Sequence, residues 1–463
     1  MSNIKVKTIL VHLADGRSDY YARREPLIRE EIKSIDWLRN SNLEIIESPI
    51  LHSVEEIRTF TDSVRCSGGQ SIIVHIPIWA NPIFTIMLHN MIDLPILLLG
   101  NDRPETSSIV GLLGAGGALD QIGVDHHRVF ECNTEESKKE VLAFVRATAA
   151  IKLLRGQTLG LFGGRSLGIF TAGADTAQWQ KLFGVDIEIL DQSEIVKLAE
   201  QIPNKEVSSH FEWMVGKVAG VEYDGNFTPQ ALEKQIRSYL ATKALAKQYG
   251  FDFVGVKCQP ELSDGYVTQC VSHCLMNSLY DADGAKEAFI HACESDADGA
   301  LSMQILHLVS AGQPSGLLDM RWFNSETQTW VLANCGAISS AFFANKDDPT
   351  GLNQLRIVPH VFGNGGGGAL PGVILPAQVT LARLCRKDGK YWMAIILGKT
   401  IKINPEDLAK TTSAFPQAYV KANTDNEFLQ RFGSNHIHIV YGDYTQELIF
   451  FCKQIGIPFQ IWK

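Results

Sequence analysis

The sequence predicts an α/β protein, with two doubly wound, Rossmann-like parallel-sheet domains followed by a β-rich C-terminal domain. Three observations predict it. Strand-length apolar runs alternate with helical patterns over the first 150 residues, the alternation restarts after Gly156, and from residue 316 shorter β-like runs separated by Gly and Pro turns take over. The boundaries expected are 1–155, 156–312 and 313–463. A chain of 463 residues exceeds what one hydrophobic core serves, so two or three domains are expected.

In the first domain "KVKTILVHL", "LEIIESPIL", "SIIVHIPIW" and "PILLLGN" read as strands, while "REPLIREEIKSIDWLRN", "VEEIRTFTDSVR" and "SKKEVLAFVRATAAIKLLRG" read as helices. Strands regularly separated by helices imply a parallel sheet covered on both faces. In the second, "QTLGLFG" and "VDIEILD" are strands, "GADTAQWQKLFG" and "SEIVKLAEQI" helices, and the long helix "PQALEKQIRSYLATKALAKQYG" leads into strand "FDFVGVKC". The runs "TWVLANCG", "LRIVPHVFG", "VILPAQVTLARLCR", "YWMAIILGKTIKI" and "HIHIVYG" suggest an antiparallel or barrel-like third domain.

Composition narrows the function. A net charge of −9 with no basic patch argues against nucleic acid and anionic membranes as partners. No run of 18 apolar residues exists to span a membrane. The start, "MSNIKVKTILVHLADG", lacks a signal-peptide cleavage site, and nine scattered cysteines read as reduced thiols, so a cytoplasmic protein is expected.

Glycine-rich stretches carry little nucleotide signal. "GLFGGRSLG" fits neither GxGxxG nor a P-loop and reads as a tight turn; "GLLGAGGALDQIG" suits close helix packing. "GNGGGGALPG" is compatible with a ligand-covering loop or a plain connection. "AFIHACESDADG" spaces Glu294, Asp296, Asp298 and Gly299 like the start of an EF-hand loop, but Ile305 falls where the closing Glu belongs. "LLDMRWF" places Asp319 after an apolar run, and "SNHIHIVYG" puts His436 and His438 on one strand face. Glu, Asp and His together would suit Mn²⁺ or a similar divalent ion.

These segments resemble, in chain order, the L-fucose isomerase family and its L-arabinose isomerase relatives. "CESD", "LDMRWF" and "SNHIHIVYGDYTQELIFFCKQIGIP" are similar to that family's metal-ligand stretches. "LADGRSDYYARRE", "HIPIWANP", "GLFGGRSLGI", "GVKCQPELSD" and "ANCGAISS" are similar to further family segments. The chain departs from the pattern in a shorter third domain, in Ser295 after Glu294, and in "NCGA" where the family has N-S-G-S.

The resemblance implies a divalent-metal-dependent aldose–ketose isomerase working on an open-chain sugar through an enediolate. It implies Glu294, Asp319 and His436 as ligands of Mn²⁺, with Co²⁺ or Mg²⁺ as alternatives, and Glu294 and Asp319 also as the catalytic carboxylates. Gln259 and Asn435 would bind sugar hydroxyls, and Arg17 and Trp79 would reach the site from the next subunit of a homo-oligomer, a trimer or hexamer. Asp296 and Asp298 remain polar or capping residues of the following helix. A pentose, a 6-deoxyhexose and a C6-sulfonated hexose all fit as substrate, and His360 and Arg356 at the far end of a pocket would favour the anionic one. The competing reading is a non-catalytic sugar-binding or regulatory protein on the same scaffold.

Overall fold

The computed structural model describes residues 4–403, 408, 414–424 and 426–463. The chain forms two compact units, Ile4–Lys152 and Leu153–Lys463.

The N-terminal unit is a five-stranded parallel sheet in the order Glu44–Leu51, Lys7–Leu13, Ser71–His75, Ile96–Leu99, His126–Val129. Its central strands are uninterrupted apolar runs because helices cover both faces. The helices begin where the sequence provides caps. Ser53 and Glu56 form a reciprocal capping box before Val54–Val64, and Asn81 caps Pro82–Ile92 with Pro82 in its first turn. The strand His126–Val129, "HHRV", has no apolar pattern to announce it, being a polar edge strand. In the helix Ser108–Gln121, a Cβ on Gly111 would lie 2.9 Å from the Ile76 side chain and 3.1 Å from the Ala80 backbone, so the small residues serve packing.

The second unit opens with a four-stranded parallel sheet, in the order His291–Cys293, Phe253–Val256, Thr158–Phe162, Asp186–Leu190. Six antiparallel strands then close on themselves. The ring runs Pro416–Ala422, Thr329–Ala333, Gly316–Asn324, His436–Tyr441, Gln378–Lys387 and Lys390–Thr400, which pairs back to Pro416–Ala422. Closure leaves these six strands without a free edge. Helices absent from the sequence reading include Pro82–Ile92, Asn204–Lys217, Cys270–Asn277 and Thr445–Ile455; the last buries Leu448, Phe451 and Cys452.

The helix Ala297–Val309 is buried along its whole length and packs on strands of both the parallel sheet and the barrel. Most of its residues are apolar for that reason, and its polar ones, Asp298 among them, are buried too. One hydrophobic cluster runs from Phe162 and Val254 in the parallel sheet to Leu381 and Ile437 in the barrel. The stretches 156–312 and 313–463 therefore share a core. The "GNGGGG" loop is also explained by packing. Gly363, Gly366 and Gly367 have φ of 100°, 85° and 117°, and side chains on the first two would collide with the carbonyls of Ser263 and Asn226.

Two buried histidine pairs involve these sheets: His12 with His75 on neighbouring strands, and His291 with His273 of the helix Cys270–Asn277. His75 Nδ1 lies 2.9 Å from His12 Nδ1, His12 Nε2 is 2.7 Å from Glu47, and Arg39 bonds Glu47 at 2.9 Å. His273 and His291 meet at 3.2 Å, and in His75, His273 and His291 Nε2 has no hydrogen-bond partner. Burial, with the His12 and Arg39 charges, pushes His75 well below the ordinary imidazole range; burial takes His273 down to about 4, and burial with the His273 charge depresses His291. The unfolded chain, titrating near about 6.5, binds more protons than the native one below that pH. Stability is therefore expected to fall as pH drops below about 6.5. Urea-unfolding midpoints between pH 7.5 and 5 check this, with a shallower acid slope expected for His75→Gln.

Candidate active site

Glu294 follows the parallel strand His291–Cys293 on a turn in which both Glu294 and Ser295 are left-handed, at φ 59° and 50°. Neither is glycine, so the turn holds strain of about 1–3 kcal/mol per residue. Surrounding bonds hold it there: Ser295 N–H donates to the Val256 carbonyl at 3.1 Å and its hydroxyl to the Phe162 carbonyl at 3.2 Å. Asp319 and His436 come from adjacent antiparallel barrel strands and stand directly opposite each other. The three side chains meet. His436 Nε2 lies 3.3 Å from Glu294 Oε2 and 3.5 Å from Asp319 Oδ1, and Asn435 Nδ2 donates to Asp319 Oδ1 at 3.2 Å.

The orientation of His436 is set from behind. Its Nδ1 lies 2.7 Å from Asp296 Oδ2, and an ionised carboxylate only accepts, so Nδ1 carries a proton and Nε2 faces Glu294 and Asp319. Asp296 also accepts two bonds from Arg383, at 2.6 and 3.1 Å, and caps the helix Ala297–Val309 by accepting from Gly299 N–H at 2.8 Å. Gly299 permits this approach: a Cβ there would stand 2.4 Å from Asp296 Oδ2 and 2.8 Å from His438 Nε2. Burial raises the Asp296 carboxyl, but the Arg383 charge and the His436 bond outweigh it and hold it far below the usual range. Burial lowers His436, yet its bond to Asp296 and the nearby Glu294 carboxylate lift it to about 10. Asp319 is raised, chiefly by burial.

Asp298, in the first turn of the same helix, accepts from Arg386 at 3.0 Å, from the Tyr391 hydroxyl at 2.7 Å and from Trp179 Nε1 at 3.2 Å. Burial pushes it up to about 6, against Arg386 and Tyr391. Capping thus describes only part of what the two aspartates do. Arg383 escaped the sequence reading, although a lone Arg within the apolar run "VTLARLC" was a signal.

Gln259 follows the neighbouring strand Phe253–Val256 and lines a small cavity together with Cys258, Cys270, Cys293, Cys335 and His360. Arg356 does not line it; it pairs with Glu222 at 2.7 Å near the surface. Burial lowers His360, but the neighbouring Cys270 and Cys335 raise it to about 11; the neighbouring Cys293 and His360 lower the Cys335 thiol against its burial.

In the N-terminal unit Arg17 and Trp79 lie past the carboxyl ends of Lys7–Leu13 and Ser71–His75. The strand order reverses between these two strands, and open α/β sheets bind ligands at such a switch point. The Arg17 guanidinium stands 5.5 Å from the Trp79 ring centroid, and its Nε donates at 3.0 Å to the buried Asp15, a residue the sequence did not single out.

The donor chemistry fits a divalent ion. Two carboxylates and one imidazole face one another, and His436 Nε2 is buried without a hydrogen-bond partner. Ligands at about 2.1 Å in an octahedron stand about 3 Å apart, so modest side-chain movement would close the set. Among the described residues, no three or more His, Cys, Asp or Glu side chains already stand in a formed metal-holding arrangement.

Comparison with known proteins identifies relatives of the chain. The first N-terminal domain of L-fucose isomerase matches residues 23–156, and the C-terminal domain of L-fucose isomerase matches 332–463. A sulfoquinovose isomerase of Priestia megaterium is 21% identical over 98% of this chain and 99% of its own length. One from Alkalicoccus urumqiensis is 22% identical over 93% of both, and an L-fucose isomerase of Bacteroides fragilis is 24% identical over 46% of this chain and 41% of its own. The protein is thus an enzyme of the sugar isomerase class, an intramolecular oxidoreductase. It belongs to the L-fucose isomerase family.

Asp296→Asn keeps a capping oxygen while removing the charge that orients His436. Mn²⁺ affinity measured by calorimetry is expected to fall about 10–100-fold. An unchanged Kd in a folded variant would remove Asp296 from that role.

Proposed function

We propose that the protein is a divalent-metal-dependent aldose–ketose isomerase acting on an open-chain monosaccharide through a cis-enediol(ate), with Glu294, Asp319 and His436 as ligands of Mn²⁺, or of Co²⁺ or Mg²⁺. The observation that carries this reading is the convergence of two carboxylates on the unpartnered Nε2 of His436. A bound divalent ion would polarise the sugar carbonyl and stabilise the negative charge that develops on its oxygens.

The proton traffic belongs to the protein. One of Glu294 and Asp319 takes the C2 proton of the aldose and returns it to C1, while the other passes the hydroxyl proton from O2 to O1, so the ketose forms with no net gain or loss of protons. The rise in the Asp319 pKa brings it nearer to a group that can both accept and give a proton. Asn435 holds the Asp319 carboxylate and offers its carbonyl to a sugar hydroxyl, and Gln259 offers a second polar contact from the cavity wall.

For the substrate we favour a hexose sulfonated at C6, because the relatives that match nearly end to end are named sulfoquinovose isomerase, whereas the matching L-fucose isomerases align over about half of the chain. Pentoses and 6-deoxyhexoses are the comparison substrates. Arg17 and Trp79 are assigned to the site of a neighbouring subunit in a homo-oligomer, a trimer or hexamer. Support comes from their place at a switch point and from the exposure of Arg17, whose side chain is 71% accessible. The nine free cysteines support a cytoplasmic setting, and among the described residues no helix is long and apolar enough to cross a membrane.

Two measurements test the proposal. Conversion of sulfoquinovose, L-fucose and pentoses by metal-stripped protein is expected to be absent, to return with Mn²⁺, and to drop at least about 1000-fold in Glu294→Gln. Mn²⁺ binding without turnover on any sugar would support the sugar-binding alternative instead. For the shared site, Arg17→Ala and Glu294→Gln subunits, each inactive alone, are expected to regain activity when co-assembled; no recovery in proven mixed oligomers would place each site within one chain.

A further inference from the structure

The loop after the strand Thr158–Phe162 carries a charge that the proton transfers do not use. That strand pairs with Phe253–Val256, which pairs with His291–Cys293, so the loop leaves the same end of the sheet as Gln259 and Glu294. Two of its hydroxyls tie it to residues of the site. The Ser166 hydroxyl donates to the Gln259 carbonyl at 3.1 Å, and the Thr171 hydroxyl stands 3.4 Å from that of Ser434, which precedes Asn435. The Thr171 carbonyl also accepts from Arg383 at 2.9 Å. Between these ties Leu167 and Gly168 are left-handed, at φ 47° and 70°, and Leu167 and Phe170 are 56% and 79% accessible. Arg165 is exposed as well and lays its guanidinium over the Phe170 ring, 5.2 Å from the centroid. Arg237, Arg356, Arg383, Arg386 and Arg431 of the same unit each bond a carboxylate; among the described residues Arg165 bonds none.

We propose that Arg165 is a specificity-determining residue that reads the sulfonate of the substrate, an assignment that rests on the C6-sulfonated hexose proposed for the same site. In an open-chain sugar C6 stands at the opposite end from C1 and C2. Its anion therefore meets the rim of the site while C1 and C2 meet Glu294, Asp319 and His436. A sulfonate is ionised throughout the pH range in which proteins fold, and the two carboxylates of the site repel it. An unpaired guanidinium at the rim supplies the opposite charge, and its planar N–H fork matches two of the three sulfonate oxygens. Stacking on Phe170 orients the guanidinium plane and leaves the N–H donors free for the anion. Arg321 is the rival cation. It lies two residues beyond Asp319 and over the Phe415 ring at 5.2 Å, but its charge already offsets the burial of the Asp319 carboxylate.

The experiment compares sulfoquinovose with 6-deoxyglucose, which differs only in lacking the sulfonate, on the full-length Mn²⁺-loaded protein and on Arg165→Ala, Arg165→Lys and Arg321→Ala. In Arg165→Ala the preference for the sulfonated sugar, as a ratio of kcat/KM values, is expected to fall at least about tenfold, through KM. Arg165→Lys is expected to recover part of it, since it restores the charge without the fork. Raising salt from about 0.05 to about 0.5 M is expected to weaken sulfoquinovose binding in the wild type and to have less effect in Arg165→Ala. Calorimetric Kd values for the two sugars give the same ratio without turnover, and an unchanged Mn²⁺ affinity in Arg165→Ala shows that the triad is intact. A wild type that takes sulfoquinovose, with Arg165→Ala taking it equally well or Arg321→Ala alone losing the preference, would overturn the role of Arg165 and leave the substrate reading standing. A wild type that neither binds nor converts sulfoquinovose would end the substrate reading and the role of Arg165 with it.

Discussion

The candidate site depends on one buried charge network. Asp296, Arg383 and His436 are 0%, 1% and 0% accessible, and each comes from a different element: a helix N-cap, the barrel strand Gln378–Lys387, and the barrel strand His436–Tyr441. Removing such charges from water costs several kcal/mol per ion, and good geometry with additional hydrogen bonds is needed to offset it. Here both Asp296 oxygens are taken, by Arg383, His436 and the Gly299 amide, and Arg383 gives a further bond to the Thr171 carbonyl at 2.9 Å. Losing one partner would leave the other buried and uncompensated, a penalty of about 3–5 kcal/mol. The network therefore locks the parallel sheet's last helix onto the barrel in one register, and that register brings Glu294 to His436. A Lys in place of Arg383 lacks the planar fork that spans both Asp296 oxygens.

The parallel sheets explain where the remaining candidate residues lie. In a parallel sheet every strand ends on the same side, so loops that follow strands cluster there regardless of sequence separation. Gln259 and Glu294 are 35 positions apart but follow neighbouring strands, as Arg17 and Trp79 do in the N-terminal unit. The barrel works differently. Its closed ladder puts Asp319 and His436 opposite each other across a hydrogen-bonded pair of strands, a placement that register alone fixes.

This division also marks what could be read in the sequence. The parallel-sheet strands with continuous apolar runs, such as "SIIVHIPIW" and "PILLLGN", were legible because burial on both faces demands that composition. His126–Val129 was not, since an edge strand needs no such run. Glu294, Asp319 and His436 were legible only through resemblance, because the contacts that unite them span up to 142 positions and leave no local periodicity. Asp296 could be read as an N-cap, a local role with a local signature. Its bonds to Arg383 and His436 are long-range, and only Arg383's position inside an apolar run hinted at a buried partner.

The three convergent side chains differ in their freedom to move, and this bears on how an ion would be gripped. Asp319 and His436 have their backbones fixed by strand pairing, and His436 is further pinned through Nδ1. Glu294 stands on a turn outside that ladder and has one more rotatable side-chain bond than Asp319. Glu294 is therefore the ligand with the most latitude to adjust, alongside a smaller rotation of the Asp319 carboxylate. A rigid pair with one adjustable carboxylate can hold an ion and still let that carboxylate shift when a sugar's oxygens arrive, which a site built wholly on barrel strands could not do. The same latitude makes Glu294 the ligand most exposed to disturbance from its own backbone, where the turn is strained and Cys293 is its immediate neighbour.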